Sequence, residues 1–169
     1  MNTNQLKKFA QEARTELQKQ VSARLDYVLK GDTPELREKS AEVMALKKAM
    51  DEQGKEQLVD KVAYTWFNRL VALRFMDVND YQPLGIRVIT PQDGFTIPEL
   101  LQEARQGHIP EQLNVDSQRI SKLMSGRIPS ADPQKEAYRL LFIASWNHLN
   151  KVFPFLFESI NDWMELLLS

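Results

Sequence analysis

The chain has 169 residues, 22 Lys plus Arg against 23 Asp plus Glu, no Cys and a formal charge of −1, with 43% hydrophobic and 9% aromatic residues. One ordinary domain is expected at this length, since domains run to roughly 100–200 residues. Without cysteine there is no disulfide framework, thiolate metal site or thiol nucleophile, and the composition fits a reducing compartment. The longest apolar runs are 140–144, five residues, and 152–157, six with Pro154 counted; a membrane span needs roughly 18, and residues 1–17 lack the apolar core of a signal peptide.

Leu6, Phe9, Ala10, Ala13, Leu17, Val21, Leu25 and Val28 recur on one face of a 3.6-residue period. This predicts a long first helix, capped by Asn2 or Thr3 and ended by Gly31 as a left-handed residue. At 1.5 Å per residue it would be roughly 40 Å long, so it must lie along other helices or protrude. Thr33-Pro34 is a cap followed by proline at the first helical position. It predicts a second helix through Leu36, Val43, Leu46 and Met50, stopping at Gly54. Residues 1–60 hold eleven basic and eleven acidic side chains, the pattern of a balanced, solvated surface.

Residues 57–80 are more apolar. Leu58, Val59, Val62, Ala63, Trp66, Phe67, Leu70, Val71, Leu73, Arg74, Phe75 and Val78 leave little polar face, which predicts a helix buried on most of its circumference. Between Tyr81 and Ile97 the sequence has Pro83, Gly85, Pro91 and Gly94 and no helical period. Ile86-Arg87-Val88-Ile89-Thr90 is β-prone, so a loop with one short strand or a small ribbon is expected. Short helices follow at 98–106, ended by Gly107, and at 115–125, capped by Asp116 or Ser117. Asp132-Pro133 then launches a helix through Leu140, Leu141, Ile143, Ala144 and Trp146 to about Lys151. After Pro154 a last helix is expected through Phe155, Leu156, Ile160, Trp163, Met164 and Leu167 to Ser169. Its apolar end, Leu166-Leu167-Leu168, suggests a piece of something larger. The predicted fold is mainly α: a multi-helix bundle with a long N-terminal helix, a buried central helix and at most one short β ribbon near 86–97.

Patterns that carry chemistry are absent. His108 and His148 stand forty residues apart without partners at helical spacing, so no metal site can be written. Ser125-Gly126 has no nucleophile-elbow spacing around it. The six glycines are never closer than nine residues, which excludes a P-loop and a dinucleotide fingerprint. For nucleic acid the net charge is unpromising. Residues 61–90 are locally positive, with Lys61, Arg69, Arg74 and Arg87 against Asp77 and Asp80. Arg69 and Arg74 sit on the apolar helix, where pairing inside the fold, with Asp77 or a loop carbonyl, is favoured over contact with a partner surface or phosphates. Arg87, Lys122 and Arg127, read as loop residues, are the more accessible phosphate candidates.

At Val62-Ala63-Tyr64-Thr65-Trp66-Phe67-Asn68-Arg69-Leu70-Val71-Ala72-Leu73-Arg74-Phe75-Met76-Asp77 the sequence closely resembles the N-terminal helical region of the PglX family, adenine-specific DNA methyltransferases of the BREX phage-exclusion systems. The opening Met1-Asn2-Thr3-Asn4-Gln5-Leu6-Lys7-Lys8-Phe9-Ala10 looks like the start of such proteins. Gly85-Ile86-Arg87-Val88-Ile89 and the run Phe153-Pro154-Phe155-Leu156-Phe157-Glu158 leading into Asp162-Trp163-Met164-Glu165-Leu166-Leu167 are similar too. The resemblance implies a cytoplasmic parent enzyme that uses S-adenosylmethionine to methylate adenine in double-stranded DNA and works with other BREX components in phage defence, without a membrane. The family's glycine-rich cofactor loop and its Asn-Pro-Pro-Tyr motif are absent, since Asn never precedes Pro here. No catalytic, cofactor-binding or metal residue carries over, and this chain by itself is expected to bind no cofactor. The reading is thus a single helical N-terminal domain over 1–169 that supports its own methyltransferase domain, with Arg87, Lys122, Arg127, Arg69 and Arg74 as candidate contacts to DNA or partners. The alternative is a stand-alone helical protein-interaction module.

Overall fold

The computed structural model describes residues 2–160 and 163–168. The chain is mainly α, with seven α-helices, two 3-10 turns and no strand among the described residues. It packs as two compact units, Met1–Val71 with Asn161–Ser169, and Ala72–Ile160.

The first unit holds α1 (Thr3–Lys30), α2 (Pro34–Glu38), α3 (Ser40–Gln53), the larger part of α4 (Lys55–Val78) and a 3-10 turn at Trp163–Leu167. Asn2 caps α1 as expected, its Oδ1 accepting the Asn4 N–H at 3.1 Å. The helix buries only Val21, Leu25 and Val28, while Leu6 and Phe9 are exposed. Gly31 ends α1 with φ −76°, an extended rather than left-handed conformation. Glycine is needed there for space: a Cβ would stand 2.7 Å from the Tyr27 carbonyl oxygen and 2.9 Å from Leu36 Cδ1. The predicted second helix begins on the Thr33 cap but bends at Lys39, which closes α2 and opens α3. Hydrogen bonding runs through the bend, Lys39 N–H to Glu35 at 3.3 Å and Val43 N–H to Lys39 at 3.0 Å. The Lys39 ammonium pairs there with Glu165.

In α4 the expected core face is present over Leu58, Val59, Val62, Ala63 and Trp66, all buried. Asp60 accepts from Gln18, and Lys55 pairs with Asp26 at 2.8 Å, which ties α4 to α1. The helix is not buried all round, however. Tyr64 is 58% exposed, and in the second unit Phe75 is 57% exposed and packs edge-on against Tyr81. Apolar composition predicted a buried cylinder here; packing uses one face.

The second unit comprises the end of α4, an irregular segment 79–98, α5 (Glu99–Arg105), a 3-10 turn at Glu111–Leu113, α6 (Ser117–Met124) and α7 (Pro133–Val152). α5, the 3-10 turn and α6 all pack on α7, burying Leu100, Leu101, Leu113, Ile120 and Leu123 with Leu141, Phe142, Trp146 and Leu149. Asp116 and Asp132 cap α6 and α7, their Oδ1 atoms accepting Arg119 N–H at 2.9 Å and Lys135 N–H at 3.0 Å.

Two further expectations are corrected. The helix predicted after Pro154 is a turn, an irregular stretch to Ile160 and the short 3-10 turn; residues 161, 162 and 169 lie outside the described residues. Side chains of α7 take the backbone groups that such a helix would need. Asn147 accepts from Ile160 N–H at 2.7 Å and donates to its carbonyl at 2.9 Å, Asn150 donates to Phe157, and Trp146 Nε1 to Glu158. The short strand at 86–90 is likewise absent, for a reason that lies in Asp77.

Candidate functional site

The Asp77 side chain, at the end of α4, is fully buried. Its Oδ1 accepts from Val88 N–H at 3.0 Å and from Gln82 Nε2 at 2.7 Å; its Oδ2 accepts from Ile89 N–H at 2.8 Å and Thr90 N–H at 2.9 Å. Three successive N–H groups converge on one carboxylate. In a strand successive N–H groups point to opposite sides, so residues 88–90 cannot be both clamped in this way and laddered.

Other backbone groups of the segment are also taken. Arg87 N–H donates to Glu99 Oε2 at 3.0 Å, and the Arg87 and Thr90 carbonyls accept from Leu100 and Glu99 N–H at 3.0 and 3.1 Å. Those two N–H groups are orphans at the start of α5, so the loop caps the helix. Tyr138 on α7 donates its hydroxyl to the Val88 carbonyl at 2.8 Å. Burial, with the Asp77 charge second, raises the Tyr138 phenol well above its ordinary pKa of 10.0. The native state therefore holds this proton where the unfolded chain releases it, and stability falls as pH rises above the unfolded value. Tyr138→Phe should cost about 1 kcal/mol at neutral pH. In alkaline denaturation, the substituted protein should lose less further stability above about pH 10 than the unsubstituted one.

Beside this clamp lies an open cavity of about 270 Å³, lined by Asp80, Gln82, Gly85, Ile86, Arg87, Gln92, Asp93 and Glu99. Asp80, at φ +54°, holds the Arg87 guanidinium at 3.1 Å, a bond that raises the Arg87 pKa. Gln92 donates to Glu99 at 2.7 Å. With three carboxylates and one paired arginine, the cavity disfavours phosphate. It also lacks the apolar walls that hold a nucleoside.

The structure separates the sequence-derived candidates. Arg69, in the first unit, is buried with its guanidinium 4.8 Å from the Trp66 ring centre. Arg74 donates to Thr90 Oγ1 at 2.8 Å and Arg87 is held by Asp80, both in the second unit. Lys122 and Arg127 are exposed. Lys122 is on α6 rather than in a loop, and the turn after the helix folds Arg127 back so that its N–H bonds to the Lys122 carbonyl at 2.8 Å. Nothing in the sequence marks the Asp77 clamp: there Asp77 stands only as an acid set against the nearby cations, and its actual partners are backbone N–H groups eleven to thirteen residues on. His108 meets Glu103 at 3.2 Å on the surface, and the described residues contain no cluster of metal-ligating groups. No described helix is long and apolar enough to cross a membrane.

No family model matches the sequence. Among curated proteins, the chain is 32% identical over 194 aligned residues to the adenine-specific methyltransferase BrxX of Escherichia coli O9:H4 (strain HS), an alignment covering 99% of this chain and 15% of that protein. It is 39% identical over 114 residues to the adenine-specific methyltransferase PglX of Lacticaseibacillus casei (strain Zhang), covering 66% of this chain and 9% of that protein. The chain thus spans less than a sixth of either relative's length. The kinship read from Val62 to Asp77 extends across the sequence: the chain is a relative of the BREX-type adenine-specific methyltransferases, matching one segment of them.

Proposed function

We propose that residues 1–169 form the N-terminal helical accessory domain of an S-adenosylmethionine-dependent enzyme that methylates adenine at N6 in double-stranded DNA, within a cytoplasmic BREX phage-defence system. The observation that carries this reading is the alignment of 99% of the chain with only 15% of an adenine-specific methyltransferase. Methylating adenine requires the base to be flipped into a pocket and its amine presented to the methyl donor. The sequence has neither a glycine-rich cofactor loop nor Asn-Pro-Pro-Tyr, and the cavity at 80–99 is charged and open. The chemistry then belongs to the parent's catalytic domain. The role of this domain is to support that core and to contribute contacts to DNA or to other components of the system.

The test is complementation. A BrxX-type methyltransferase lacking the corresponding segment should be impaired in adenine methylation and regain activity when this chain is supplied in trans, while calorimetry of the chain with S-adenosylmethionine shows no binding. Full methylation by the truncated enzyme, or tight S-adenosylmethionine binding by the 169 residues, would overturn the proposal.

A further inference from the structure

Two stretches of the chain carry three cations and no carboxylate: residues 61–76, with Lys61, Arg69 and Arg74, and residues 117–131, with Arg119, Lys122 and Arg127. The fold consumes much of the first, since Arg69 lies buried on Trp66 and Arg74 donates to Thr90. The second remains on the surface. Ile120 and Leu123 are fully buried and fix one face of α6 in the core. Its opposite side presents Gln118, Ser121, Lys122 and Ser125 to solvent, spaced three, four and seven residues from Gln118 and so on one face.

The turn that follows brings the charges together. Gly126 sits at φ +72°, its N–H bonding to Leu123 at 3.1 Å while Arg127 N–H returns to Lys122 at 2.8 Å. This is the paired-bond termination that a left-handed glycine permits, and it places Arg127 beside Lys122 at one end of the helix. Arg119 is engaged with Glu136 at 3.7 Å. Among the described residues, Lys122 and Arg127 have no ion-pair partner. Of the neighbouring carboxylates, Glu136 is taken by Arg119 and Asp116 uses its Oδ1 to cap α6. The exposed surface is therefore convex and helical, made of hydroxyl and amide groups with two uncompensated cations and no large apolar side chain. A protein partner would find little there to bury, whereas a polyanion with a wide groove matches both charge and shape.

We propose that the outer face of α6, with the turn to Arg127, is a contact surface for duplex DNA. Lys122 and Arg127 neutralise backbone phosphates, and Gln118 and Ser121 lie over the major groove. The inference rests on the reading of this chain as part of a DNA methyltransferase. It is tested by fluorescence anisotropy of the 169-residue chain with a labelled DNA duplex and an RNA duplex of the same sequence across a salt series. Affinity for DNA should fall steeply with salt. Lys122→Glu with Arg127→Glu should weaken it by about tenfold or more and flatten the logarithmic salt slope by about 2. Both side chains are exposed, so the thermal melt should not move. Lys47→Glu with Lys48→Glu, on the exposed side of α3, should leave DNA binding unchanged. The RNA duplex should bind less well, because its deep, narrow major groove does not admit a helix.

The inference is overturned if the α6 reversal binds DNA like the unsubstituted chain, if the α3 reversal weakens binding as much, if RNA binds as tightly as DNA, or if the chain fails to bind DNA at low salt. None of these results touches complementation of the truncated methyltransferase. The accessory reading and the DNA face can thus fail separately.

Discussion

Asp77→Ala should be among the most damaging single substitutions in the chain, costing about 3–5 kcal/mol and lowering the melting temperature by roughly 10 °C. The carboxylate is fully buried and accepts from four donors, the N–H groups of Val88, Ile89 and Thr90 and the amide of Gln82. Truncation leaves those donors in a site where Val88 and Thr90 are themselves buried, and each orphaned donor costs about 1–3 kcal/mol, with partial relief from relaxation and water. Asp77→Asn keeps the shape but replaces one acceptor oxygen by a donor, so it should fall between the two proteins. Hydrogen exchange gives the residue-level check: the amides of Val88, Ile89 and Thr90 should be protected in the unsubstituted chain and exchange rapidly in Asp77→Ala. If they stay protected, the clamp does not hold the loop.

Trp66→Ala should cost a similar amount, about 3–5 kcal/mol, in the first unit. The side chain is 1% exposed and lies among the buried residues of α4, with the Arg69 guanidinium 4.8 Å above its ring. Truncation opens a cavity and removes the surface on which a buried cation rests. Phe75→Ala, on the same helix, is the informative contrast. That ring is 57% exposed and its aromatic neighbour is Tyr81, so the loss should stay below about 1 kcal/mol. Equal losses in urea denaturation would mean that α4 is covered all round, as its composition alone suggested.

The helix starts were legible because a cap is a local contract between residues one to three apart. Asn2, Thr33, Asp116 and Asp132 all accept the N–H that their position in sequence implies. The glycine stop at Gly54 was legible for the same reason, with φ +82°. Of the candidate contacts, the exposure of Lys122 and Arg127 and the burial of Arg69 followed the sequence reading, whereas the partners of Arg69 and Arg87 were not legible. Nothing near Arg69 in sequence says that the cation will lie on a tryptophan, and nothing near Arg87 says that Asp80 will hold it.

Where the expectations failed, a distant side chain had taken a backbone group. Residues 86–90 have the composition of a strand, yet the N–H groups of residues 87–90 go to Asp77 and Glu99. The stretch after Pro154 has helical spacing, yet Asn147, Asn150 and Trp146 bind its backbone groups in an irregular, non-helical form. Backbone propensities differ by at most about 1 kcal/mol per residue for most side chains, so two or three buried side-chain bonds override them.

By itself, then, the sequence determined the mainly helical class, most of the helix boundaries and the kinship with adenine-specific methyltransferases, because periodicity, caps and motif identity are all properties of residues close together in the chain. Only the tertiary structure decided which face of α4 is covered, which cations stay free at the surface and which segments are clamped by side chains rather than laddered or helical. Those outcomes depend on groups brought together from far apart in sequence, and a buried donor or charge takes whichever partner the packing presents.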